Sequence, residues 1–94
     1  MYAVELRFIP TGTGILPSVE VMEASVRLNG ARAGRRIEYV TVRTISIDIY
    51  FVIFALAHDV DDARRLARSI GAAVAVEFAQ VRFDGFRVWR RERA

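Results

Sequence analysis

From residue 37 to residue 57 the chain reads Ile-Glu-Tyr-Val-Thr-Val-Arg-Thr-Ile-Ser-Ile-Asp-Ile-Tyr-Phe-Val-Ile-Phe-Ala-Leu-Ala, with no glycine, proline or asparagine. β-Branched and aromatic side chains of this density fit a pleated sheet surface far better than a helix. The run is also much longer than an ordinary strand of about 5–6 residues, so it has to reverse inside itself. We place the reversal near Arg43 and Thr44, giving strands over about 36–42 and 45–57. No turn residue marks that point.

Alternation along the second strand adds a sharper constraint. One face reads Ile45, Ile47, Ile49, Phe51, Ile53, and the other reads Ser46, Asp48, Tyr50, Val52, Phe54, Leu56. From Ile49 onward both faces are apolar. An antiparallel sheet that carries helices on one side normally turns a polar side to water. Tyr50, Val52, Phe54 and Leu56 are therefore expected to form an oligomer interface, each contributing about 1.5–3 kcal/mol when buried. Left in water they would make a patch of the kind that marks a contact surface. The expected partner is another copy of the chain, as a homodimer or larger assembly. The alternative is that the C-terminal segment folds over this face.

The flanking sequence supplies the remaining elements. Tyr2, Val4, Leu6 and Phe8 alternate with Ala3, Glu5 and Arg7, the period of a half-buried strand, which Pro10 ends. Residues 18–28 admit two structures. Leu16, Val19, Met22 and Val26 recur at helical spacing, Pro17 suits a first turn, and Asn29-Gly30 suits a stop. The rival is a strand with Asn29-Gly30 as a hairpin turn. Helix is preferred because spacing, start and stop agree. Residues 59–70 form the clearest helix, with the stripe Val60, Ala63, Leu66, Ala67, Ile70, three aspartates at its start and Gly71 closing it. Val74, Val76 and Phe78 then begin a strand that runs through Phe83 to a hairpin at Asp84-Gly85 and continues to Trp89. The expected fold is α+β and ferredoxin-like, β-α-β-β-α-β in a single domain over 1–94. Two helices lie on one face of an antiparallel sheet, with a C-terminal β extension.

Ninety-four residues bury a modest fraction of their surface, which makes help from a partner subunit reasonable. There is no cysteine, so disulfides, thiolate nucleophiles and Cys-ligated metals are excluded. A lone histidine, His58, offers no metal pair and no Ser/His/Asp set. Asp59, Asp61 and Asp62 are best explained as partners of a helix dipole rather than cation ligands. Neither a metal, a cofactor nor a catalytic residue is expected, and acid–base candidates are too scarce to favour an enzyme. The start Met1-Tyr2-Ala3-Val4-Glu5 is not a signal peptide, and no apolar stretch approaches the roughly 20 residues of a spanning helix. A soluble cytoplasmic protein with no membrane partner is expected.

All fourteen basic residues are arginine, and Asn29 and Gln80 are the only amides. A hot habitat suits that bias, and so does a GC-rich genome. The net charge of +3 lies entirely in residues 79–94. Arg87, Arg90 and Arg91, interleaved with Phe83, Phe86 and Trp89, and Arg32, Arg35 and Arg36 in the turn over 31–36, are the candidates for binding nucleic acid. The RNA-recognition signature is absent, and a charged terminal strand also serves as a solvated edge.

Thr11-Gly12-Thr13-Gly14, between two prolines, is neither a Walker A loop nor GxGxxG. Its backbone N–H groups suit an anion, although a simple strand-to-helix connection explains it first. The run Val4-Glu5-Leu6-Arg7-Phe8-Ile9-Pro10-Thr11-Gly12-Thr13-Gly14 resembles the start of the thiamine- or hydroxymethylpyrimidine-binding YkoF-like family of small ferredoxin-like proteins. There a strand leads into an Ile-Pro-x-Gly-Thr-Gly loop and a helix, and Ile9, Pro10, Gly12, Thr13 and Gly14 match in place. Tyr39 to Thr44 is a fainter echo of the family's second strand. The family's Pro-Met-Gly turn and Ile-Glu-Gly segment are missing, and the resemblance covers chiefly residues 4–26. It implies a non-enzymatic homo-oligomer that binds a small heterocycle such as a thiamine-like pyrimidine, with Thr11, Gly12, Thr13, Gly14 and Thr44 near the pocket. The expected functions are thus small-ligand binding, with nucleic-acid binding or a purely structural oligomer as alternatives.

Overall fold

The computed structural model describes residues 1–12, 14–34 and 37–91, with Tyr39 described in its backbone only. The elements follow in the order β1 (Tyr2–Pro10), α1 (Val19–Arg32), β2 (Ile37–Ile45), β3 (Asp48–Ala55), α2 (Val60–Glu77) and β4 (Val81–Arg90). Among the described residues the strands form one four-stranded sheet in the order β2-β3-β1-β4, with every neighbouring pair antiparallel. The chain is α+β.

The helices cover one side of this sheet. Val4, Leu6 and Phe8 of β1 stand opposite Ile53, Phe51 and Ile49 of β3. All six are buried in one cluster with Met22 and Val26 of α1 and Ala63, Leu66, Ala67, Ile70 and Val74 of α2. Phe8 meets Phe51 edge-on at 5.9 Å and Phe83 at 5.5 Å. The amphipathic period of residues 18–28 is resolved as helix, capped by Ser18, whose Oγ accepts from Val21 N at 3.2 Å. Asp59 caps α2 by accepting from Asp62 N at 2.8 Å. Asp62 reaches back to accept from His58 N at 2.9 Å, close to a capping box.

Four boundaries differ from expectation. The reversal falls at Ser46 and Ile47, not at 43–44, and Ser46 takes the left-handed conformation there (φ 59°). Gly71 does not stop the second helix: α2 continues to Glu77, so Val74 and Val76 are helical. A Cβ on Gly71 would sit 2.3–2.5 Å from the Phe83 ring, so this glycine lets a strand aromatic reach the helix backbone. Gly30 likewise lies inside α1 beneath Ile37 rather than ending the helix. Asp84-Gly85 is not a hairpin but a bulge within one continuous strand. Pairing shifts between Arg7, opposite Gly85, and Phe8, opposite Phe83, with Gly85 at φ 134°. The expected C-terminal β extension is therefore part of β4 itself. The bulge keeps Phe83 and Phe86 on the same, helix-facing side, with their rings stacked at 6.4 Å. Among the described residues no helix is long and apolar enough to cross a membrane.

Candidate functional site on the open sheet face

The register fixes what faces away from the helices. One cross-strand row runs Phe54, Ala3, Trp89, the next Thr41, Val52, Glu5, Arg87, and the third Arg43, Tyr50, Arg7, Gly85. The face is thus aromatic at one end and charged at the other. Ala3 is fully buried although it points to the open side. It lies in the row between Phe54 and Trp89, and the Arg91 guanidinium reaches from the end of β4 to within 4.3 Å of the Phe54 ring centroid. A strand-end arginine spans the apolar end of its own sheet.

At the charged end Arg7 is the hub. Its Nη2 donates to Asp48 Oδ2 at 2.6 Å, and Nη1 lies 3.3 Å from Asp84 Oδ2. Arg82 meets the other Asp84 oxygen at 3.6 Å, and Arg87 Nε lies 3.4 Å from Glu5 Oε1. The short bond to Asp48 pushes the Arg7 pKa up, against desolvation and with further electrostatic help from Tyr50, Asp48 and Asp84. Its Nε is buried with no hydrogen-bond partner among the described residues. Glu5, Arg7, Tyr50, Asp84, Gly85, Phe86 and Arg87 line a hollow of about 370 Å³ here.

The expected interface residues are placed together with one exception. Tyr50, Val52 and Phe54 stand half-buried in adjacent rows of the open face. Leu56 is 53% exposed because β3 ends at Ala55, two residues short of the expected 57. The charged hub was only half legible in the sequence. Alternation put Asp48 on the face of Tyr50 and Glu5 and Arg7 on the polar side of β1. Nothing local announced that Arg7 and Asp48, forty-one positions apart, would meet.

Thr11 ties the glycine loop to the connection before β4: its N donates to Gln80 O at 3.0 Å and its Oγ1 to Ala79 O at 2.9 Å. Gly12 and Gly14 are exposed with positive φ (85° and 70°), which explains why glycine stands at both. Thr13 lies outside the described residues. Thr44 stands opposite Ile49, which also pairs with Phe8, so it sits at the sheet end from which the loop leaves.

Of the arginines considered for nucleic acid, Arg87 and Arg91 share the open face with Trp89 and Phe54. Arg90 alternates to the other side, opposite Tyr2. Arg32 is exposed on the last turn of α1, and Arg35 and Arg36 lie outside the described residues. Phe83 and Phe86 belong to the core side, so the aromatic interleaving of the sequence does not become one surface. His58 is exposed, and Asp61 and Asp62 face Arg64 (3.5 Å) and Arg65 (3.7 Å). Among the described residues no cluster of His, Cys, Asp and Glu could hold a metal ion. No family model matches the chain, and no curated protein matches it.

Proposed function

We propose that the chain is a ferredoxin-like domain that assembles through its open sheet face into a homo-oligomer and holds a small ligand there, without catalysing a reaction. The strand order β2-β3-β1-β4, with one helix between β1 and β2 and another between β3 and β4, supports the fold assignment. One observation carries the assembly. The side of the sheet that the helices leave uncovered carries Tyr50, Val52, Phe54 and Trp89 beside the charged cluster around Arg7, where a fully solvated face would be polar throughout.

The hollow around Arg7 gives the ligand a place of suitable size, at the lower end of small-molecule sites. The likeness of residues 9–14 to the YkoF-like loop extends this reading. That likeness implies a pyrimidine-like heterocycle as the ligand class and carries over Thr11, Gly12, Thr13, Gly14 and Thr44 as its neighbours, although the residues lining the hollow come from β1, β3 and β4 and Thr44 pairs with Ile49 on the helix side. A thermal shift with hydroxymethylpyrimidine or its phosphate, absent with oligonucleotides, tests the ligand, and a concentration-dependent sedimentation coefficient tests the assembly.

A second reading is favoured by the pairing of Arg87 with Trp89 (5.6 Å) and Arg91 with Phe54, the cation-and-ring combination on which single-stranded nucleic acid stacks. Retention on heparin that falls steeply with salt is its signature.

A further inference from the structure

We infer that the hollow at the charged end of the open face binds the oxyanion group of its ligand, a phosphate or carboxylate of more than one negative charge. This rests on the small-ligand reading above and deepens it.

Four guanidinium groups (Arg7, Arg43, Arg82 and Arg87) share this end of the face with three carboxylates (Glu5, Asp48 and Asp84). The positions are not equivalent. Arg7 is held at both η nitrogens by Asp48 and Asp84 and its Nε is buried, so it contributes mainly charge and rigidity. Arg87 meets Glu5 through Nε, its side chain is 74% exposed, and its η pair is the fork that a carboxylate or phosphate accepts from. Tyr50 stands in its row between Arg43 and Arg7, with the Arg7 guanidinium 5.8 Å from its ring, and adds a phenolic O–H donor to this end of the face. The acids are engaged from within the cluster, Asp84 by two arginines. A cationic ligand would therefore have to break existing pairs, whereas an anion only adds to them.

Self-association sharpens the need. Two copies meeting face to face bring like excess charge together as water is removed, and an anion in the hollow offsets it. Anion binding and association then strengthen each other by the same factor.

The test uses the full chain at low salt. Inorganic pyrophosphate and citrate are titrated calorimetrically into the wild type and into Arg87→Gln, Arg43→Gln and Arg64→Gln. The last removes the same charge from the exposed surface of α2. Saturable binding is expected, weakened about tenfold or more by Arg87→Gln and by a smaller factor by Arg43→Gln, and nearly unchanged by Arg64→Gln. The tighter probe identifies phosphate or carboxylate as the group taken. Binding by a chain that stays monomeric supports the site while the assembly fails. An oligomer that binds neither probe overturns the site while the assembly stands. Equal weakening by Arg64→Gln shows attraction to net charge alone and overturns it. So does displacement of pyrophosphate by a single-stranded oligonucleotide whose own binding needs Arg91.

Discussion

The two sides of this sheet are built from the same strands and obey different rules. On the helix side Leu6, Phe8, Phe51 and Ile53 are fully buried, in a cluster that draws on both helices and all four strands. On the open side the next residues along the same strands, Glu5, Arg7, Tyr50 and Val52, are only half-covered and are held by partners within the sheet. A one-residue alternation thus separates a surface the helices cover from one they leave uncovered. The helix side stabilises the monomer. The open side carries the proposed function.

Substitutions on the two sides should therefore separate stability from association. The largest effect belongs to the core: Phe51→Ala removes a fully buried ring packed edge-on against Phe8 and should cost about 3–5 kcal/mol in chemical denaturation. A loss below about 1 kcal/mol would break the contrast. Next comes Gly71→Ala. Helix propensity alone favours alanine by roughly 1 kcal/mol, but the Phe83 ring occupies the space a methyl needs. We expect a net loss of about 1–3 kcal/mol, the scale of overpacking, with the same assay deciding the sign.

On the open side Phe54→Glu should leave thermal stability nearly intact and weaken self-association by about tenfold or more, read by sedimentation across a concentration series. The smallest effect is Asp48→Asn. The Arg7 ion pair is short but reaches the surface, so the denaturation midpoint should move only slightly, and the shift should shrink further as salt is raised.

What the sequence disclosed follows the same division. Period-2 and period-3.6 patterns are local, and they located β1, α1 and the start of α2 and most of the apolar residues those elements bury. Leu16 and Val60, expected on the helical stripes, are instead 42% and 38% exposed. Turns and glycines were harder to read because their reasons are distant. Ser46 adopts a left-handed conformation without being glycine or asparagine. Gly71 looks like a stop and is a contact with a strand not yet formed when the helix is scanned. Asp84-Gly85 has hairpin composition, yet pairing with β1 on one side makes it a bulge. The charged hub shares this character: each member was visible, and the meeting of Arg7 with Asp48 and Asp84 was not.

The open face as an interface between copies is the claim on which the functional reading stands. Sedimentation velocity of the full chain over a micromolar range tests it most directly. A dimer or larger species for the wild type, shifted to a single chain by Phe54→Glu, is the predicted result. A wild-type chain that sediments as a monomer throughout, with Phe54→Glu indistinguishable from it, would contradict it.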